Sequence, residues 1–148
     1  MLLPDHEIRR RVREGSLVIE PFDEGCLNPA GYDARLGSAI KLPPGQRGLA
    51  YTLERFELPL DVAGLIYLRS SLAREGLLGS FAVIDPGFRG NLTLPVFNAG
   101  DSVVEVEGGE RFVQVVFLSL MSPASRGYAG RYQDSVGAVV SRRKNGGS

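Results

Sequence analysis

The apolar positions change rhythm once, near Gly15, and the two rhythms predict different elements. Residues 4–14 (PDHEIRRRVRE) place Ile8 and Val12 at i, i+4, with Pro4 where a helix can start and Gly15 where one can end. That pattern predicts one short N-terminal helix. Beyond Gly15 the apolar residues come in short β-type runs: SLVIEPF (16–22), RLGSAIKL (35–42), LAYTLERFEL (49–58), LIYLRS (65–70), GSFAVID (79–85), GNLTLPVFN (90–98), SVVEVE (102–107) and RFVQVVFLSL (111–120). Turn signals separate them, with PPG at 43–45, DVAG at 61–64, DPGFRG at 85–90, NAGD at 98–101 and GG at 108–109. About eight strands at this spacing predict an all-β sandwich, jelly roll or barrel. One helical turn around SLAREG (71–76) interrupts them. From Ser122 the rhythm is lost in a stretch rich in Gly, Ser and Arg. Two readings of it stay open, a loose terminal tail and a mobile arm that closes over a ligand. The expected division is a β domain over residues 1–126 and a tail over 127–148.

Composition narrows the chemistry. A chain of 148 residues fits one domain and leaves no room for a second core. Seventeen basic residues balance seventeen acidic ones, so no overall field favours wrapping nucleic acid, and a polyanion site has to be a local patch. The run Arg9-Arg10-Arg11 is read as a solvated helix face rather than such a patch. No apolar run approaches the ~18 residues of a membrane span, and a soluble, cytoplasmic protein is expected. A lone cysteine, Cys26, cannot form an intramolecular disulfide. With one cysteine and one histidine, His6, the chain has no three-ligand zinc site of that kind, which argues against zinc-type deamination and hydrolysis. Carboxylates, hydroxyls and arginines remain, with a divalent metal held mainly by a substrate's phosphates.

Three segments combine such groups. Arg69-Ser70-Ser71-Leu72-Ala73-Arg74 sits where a strand gives way to a helical turn. It reads either as an anion site of hydroxyls, N–H donors and arginines or as an ordinary serine cap. Ile84-Asp85-Pro86-Gly87-Phe88-Arg89-Gly90 puts a carboxylate at a strand end before a rigid turn and an aromatic ring. It could hold a water beside a sugar, or be turn chemistry alone. In Gly109-Glu110-Arg111-Phe112-Val113-Gln114, Gln114 is expected to share the side of Phe112, so that its amide points inward or toward a subunit interface, where a buried amide needs a partner such as a ligand oxygen.

Together and in this order, these segments resemble the dUTPase/dCTP deaminase superfamily. Asn28-Pro29-Ala30-Gly31-Tyr32-Asp33 with Arg35-Leu36-Gly37 resembles its first motif, and RSSLAREG (69–76) the second. IDPGFRGNLTL (84–94) and GERFVQVVF (109–117) resemble the third and fourth. The N-terminus, the form of the second motif and the tail with Tyr128 and SVGAVVSR are most like the deaminase branch and its archaeal relatives. The resemblance implies a jelly-roll-like distorted barrel of the dUTPase type with a short N-terminal helix, forming a homotrimer with active sites shared between subunits. In the deaminase pattern a glutamate follows the third motif; here Pro95 stands in its place, and proline can be neither general acid nor general base. The expected activity is therefore that of a dUTP diphosphatase, with Mg²⁺ as cofactor held mainly by the substrate's phosphates, releasing dUMP and pyrophosphate.

By the same resemblance Asp85 is the catalytic residue that orients and deprotonates water. Ser70 and Ser71 hold phosphate oxygens, Arg69 or Arg74 offsets their charge, and Gln114 reaches phosphate from an adjacent subunit. Phe88 packs on the deoxyribose, backbone edges within 80–95 read uracil, and Tyr128 and Arg131 contact nucleotide from the tail. Asp33 is either structural or linked to substrate. The glycine-rich fifth motif of typical dUTPases is absent, and Ser135-Val136 stands where a polar position is expected near residue 135 or 136. The alternatives are a dCTP deaminase, bifunctional or not, in which another group replaces the glutamate, and a non-catalytic nucleotide-binding trimer. No nucleic-acid or membrane partner is expected.

Overall fold

A computed structural model describes residues 1–144; the last four residues of the tail expected over 127–148 lie outside the described residues. The expected helix is α1 (Asp5–Glu14), with Ile8 buried beneath it. Asp5 and Glu7 lie in its first turn and Arg11 and Arg13 in its last, each sign complementing the helix dipole. Gly15 ends it in the left-handed region (φ 80°), its N–H donating back to the Arg11 and Val12 carbonyls. Among the described residues no helix is long and apolar enough to cross a membrane.

Ten strands follow: β1 (Val18–Glu20), β2 (Leu27–Asn28), β3 (Gly31–Arg35), β4 (Ile40–Leu42), β5 (Arg47–Glu57), β6 (Val62–Leu68), β7 (Leu77–Gly79), β8 (Arg89–Asn98), β9 (Val104–Val106) and β10 (Arg111–Ser119). A single helical turn, α2 (Ser70–Arg74), lies between β6 and β7. The strands form one sheet in the order β1-β5-β8-β7, a second in the order β2-β3-β10-β6, and a two-stranded ribbon β4-β9, all antiparallel. Alternation along β8 buries Gly90, Leu92, Leu94, Val96 and Asn98. These meet Phe56 of β5 and Phe112, Val115 and Phe117 of β10 in one core, where the Phe56 and Phe117 rings lie 6.4 Å apart.

The two large sheets are also tied by a buried charge. Glu54 of β5 is fully buried and accepts from the Tyr32 hydroxyl at 2.9 Å, the Arg35 backbone N–H at 2.9 Å and Arg35 Nε at 3.0 Å. A buried carboxylate is tolerable only when paired and saturated with donors in this way. Burial and the neighbouring Glu54 charge push the Tyr32 phenol above its ordinary range.

Three local expectations change. The run 35–42 is not one strand: the chain leaves the second sheet after Arg35 and joins the ribbon at Ile40. It crosses at Gly37, where any Cβ would fall 2.2 Å from the Tyr51 ring. The turn expected at 61–64 is already strand from Val62, because Leu118 and Phe117 of β10 pair with Ala63 and Gly64. The run 79–85 stays extended but is paired only at its ends, through the Ser80 N–H to the Pro95 carbonyl (3.3 Å) and the mutual bonds of Ile84 with Gly64. Phe117→Ala should destabilise the fold by about 3–5 kcal/mol, read as a lowered denaturant midpoint at unchanged m-value.

Candidate active site

The stretch between β7 and β8, paired only at its ends, forms one wall of a cavity of about 450 Å³. Ser80, Ala82, Val83, Ile84 and Asp85 line that wall. The floor is the outward face of β8: burying Leu92, Leu94 and Val96 turns Asn91, Thr93 and Pro95 the other way. The second wall is the tail, through Tyr128, Tyr132, Ser135 and Val139, with Phe88 at the corner.

The tail is seated by backbone geometry that only glycine provides. Gly90 sits at φ 144°, and a Cβ there would lie 2.8 Å from the Ser135 N and 2.9 Å from its carbonyl oxygen. At Gly87, φ 83°, an added Cβ would likewise lie 2.7 Å from the Gly127 Cα. The tail then runs along β8: the Asn91 N–H donates to the Ser135 carbonyl (2.9 Å), the Gly137 N–H to Asn91 Oδ1 (3.2 Å) and the Val139 N–H to Thr93 Oγ1 (3.0 Å). Asn91 Nδ2 donates to the Thr52 and Glu54 carbonyls, where the β5–β8 register shifts, so its amide is fully used. Thr93, an acceptor to Val139, keeps its own hydroxyl proton to donate elsewhere. The Phe88 and Tyr128 rings meet edge to face at 5.6 Å. Tyr132 accepts the Arg142 N–H on its phenol oxygen, which lowers its pKa, and the Arg142 guanidinium lies 6.0 Å from its ring centroid.

Of the residues singled out in the sequence, Asp85, Phe88 and Tyr128 line the cavity. Asp85 is its one charged lining residue, and its carboxylate makes no ion pair or side-chain hydrogen bond among the described residues. Arg69, Ser70, Ser71, Arg74, Gln114 and Arg131 do not line it. Arg69, not a serine, occupies the N-cap position of α2, and its Nε pairs with the buried Asp33 at 3.2 Å. Asn28 Nδ2 donates to the other Asp33 oxygen at 2.7 Å. Ser70, Ser71 and Arg74 are exposed. Arg131 donates to the Arg142 carbonyl at 3.1 Å.

Gln114 departs from expectation. A bulge between Arg111 and Val113 resets the pleat, so Val113, Val115 and Phe117 are buried while Gln114 is only half-buried, off the core face. Asn91, Thr93 and Tyr132 were not singled out; the signal for the first two is their parity with Pro95 on an otherwise apolar strand. Among the described residues no three His, Cys, Asp or Glu side chains converge to hold a metal ion.

Residues 38–120 match the family model for dCTP deaminase-like proteins. A Thermococcus kodakarensis protein named dCTP deaminase is 48% identical, covering 97% of this chain and 99% of its own. The dCTP deaminase of Korarchaeum cryptofilum is 32% identical over 97% of this chain and 98% of its own. Among solved structures, the EIAV dUTPase superposes with a TM-score of 0.60 at 23% identity, over 78% of this chain and 97% of that one. A mutant dUTPase from S. aureus phage phi11, described as coordinating a structural Mg(II) ion, gives 0.59 at 18% identity, over 74% of this chain and 94% of that one. At these identities the two dUTPases speak for the fold alone.

These relatives overturn the expectation of a dUTP diphosphatase, because proteins up to 48% identical over nearly the whole chain are named for deamination instead. Pro95 leaves one position without an acid, while another carboxylate, Asp85, opens onto the same cavity.

Gly90→Ala should destabilise by about 1 kcal/mol or more through its positive φ. It should also speed hydrogen exchange at the Gly137 and Val139 amides ahead of the core, measured by NMR or mass spectrometry.

Proposed function

Because the chain belongs to the dCTP deaminase-like family, we propose that it hydrolyses the exocyclic amine of dCTP, converting dCTP and water to dUTP and ammonia. The observation that carries this reading is Asp85, a carboxylate on a cavity otherwise lined by neutral side chains. Hydrolytic deamination adds water to C4 of the ring, breaks the C4–N bond and moves a proton from the water to the departing amine. One carboxylate can do both transfers in turn, first as base and then, once protonated, as acid. Ser80 and Thr93 bring hydroxyls to the same cavity and can orient the water or hold the ring's polar edge. Phe88 offers an aromatic edge to the deoxyribose, where a 2′-hydroxyl would lose its hydration without a partner.

The triphosphate needs cations, and the cavity lining holds none. In this reading the chain acts as a homotrimer. Arg69, Ser70, Ser71, Arg74 and Gln114 of one copy meet the phosphates of a nucleotide in the next, and Tyr128 and Arg131 approach from the tail. Asp33 would hold Arg69 for that contact. Mg²⁺ would enter as part of the substrate, on its phosphate oxygens; the proton transfers run through Asp85.

With dCTP and Mg²⁺, the purified protein should release ammonia and form dUTP, resolved by chromatography. Asp85→Asn should lower kcat by roughly a hundredfold or more while dCTP still binds. Release of dUMP and pyrophosphate from dUTP, with dCTP untouched, would sink the deaminase reading.

A further inference from the structure

The tail carries one carboxylate that the cavity does not use. Asp134 lies between Gln133, whose Nε2 donates to the Gly87 carbonyl at 2.9 Å, and Ser135, which lines the cavity. Its backbone is left-handed (φ 59°), a conformation Asp and Asn tolerate better than other side chains. From there its carboxylate spans two strands. Oδ1 lies 2.9 Å from Arg55 NH2 of β5 and 3.1 Å from Arg89 Nε of β8, and Oδ2 lies 3.2 Å from Arg89 NH2. Arg55 is shared with Glu57 at 3.2 Å, the other acid at this cluster. The backbone adds a clamp, with the Asp134 N–H donating to the Arg89 carbonyl at 2.7 Å and the Arg89 N–H to Gln133 Oε1 at 2.7 Å.

We propose that Asp134 is a positioning residue: its ion pair with Arg55 and Arg89 sets Tyr132 and Ser135 against the cavity, so that nucleotide affinity depends on this exposed clasp, which salt weakens. The inference rests on the reading of the cavity as a nucleotide site. Hydrogen bonds from Arg89 and Arg55 hold the Asp134 carboxyl down at about 2, below its ordinary value. A depressed carboxylate contributes fully above its unfolded-state range and is lost only as pH falls toward that lower value. The clasp is therefore constant across neutral pH and yields instead to salt, which screens exposed charges within about 3 Å at 1 M.

Asp134→Asn isolates the charge, because asparagine keeps the shape and tolerates the same φ. Trypsin cleavage at Arg131–Tyr132 is measured for both chains, relative to a free peptide covering residues 122–144, at low salt and at about 1 M. At low salt the variant should be cut about fivefold faster, the weight of an exposed ion pair, and KM for dCTP should rise by a similar factor with little change in kcat. Salt should bring the natural chain up to the variant's rate and leave the variant unmoved. Arg89→Gln, which leaves the Arg55 pair in place, should move cleavage and KM in the same direction but less far, and adding it to Asp134→Asn should change nothing further. Equal cleavage of natural chain and variant at low salt, or faster cleavage with unchanged KM, would overturn the proposal. If neither protein turns dCTP over, the deaminase reading fails by itself; cleavage with and without dCTP as protectant then decides the clasp.

Discussion

One strand face decides where everything else can go. β8 runs through the middle of its sheet, and its even-numbered residues from Gly90 to Asn98 must be buried for the core to close. That obligation leaves Asn91, Thr93 and Pro95 pointing away from the core with no choice in the matter. The cavity is the space above those three side chains. The tail finds its hydrogen-bond acceptors on two of them, while Asn91 also reaches the carbonyls of β5 where the register slips. A one-residue slip of β8 would expose the core, empty the floor and unseat the tail together.

The acidic residues divide by what they meet. Glu54 is saturated by Tyr32 and Arg35, Asp33 by Asn28 and Arg69, Asp61 by Arg11, and Asp134 by Arg55 and Arg89. In each case a carboxylate of one element is answered by an arginine of another, so the charges serve as rivets between elements far apart in sequence. Asp85 has no such partner among the described residues and faces a cavity with no cation among its lining residues.

Much of this was legible in the sequence, and the failures have local causes. The N-terminal helix forms where it is expected, and seven of the eight expected runs contain at least three strand residues, because period-two alternation reports a half-buried face directly. β2 and β3 were missed: residues 31–34 are buried on both faces, so no alternation marks them. The run 79–85 looks like a strand and is extended, but no neighbour covers its middle, and pairing is a property of the partner rather than of the run. Gln114 was misplaced by a single bulge, which alternation cannot reveal. At the site, Asp85, Phe88 and Tyr128 came out of the motifs, whereas Asn91, Thr93 and Tyr132 depend on the path of the tail. Pro95 does stand on the cavity floor, but losing an acid at one position does not remove acids from the cavity, which Asp85 lines.

The aromatic content of the chain has an optical side. It contains five tyrosines and no tryptophan, so nothing masks tyrosine emission. Tyr128 and Tyr132 stand on the cavity wall, Tyr128 edge-on to Phe88 and Tyr132 beneath the Arg142 guanidinium, while Tyr32 is buried with its hydroxyl on Glu54. A carboxylate accepting a hydrogen bond from a phenol quenches that phenol, which dims Tyr32 and leaves the light to the two rim tyrosines together with Tyr51 and Tyr67. The protein thus comes with an unlabelled fluorophore pair at the place where its tail meets its body.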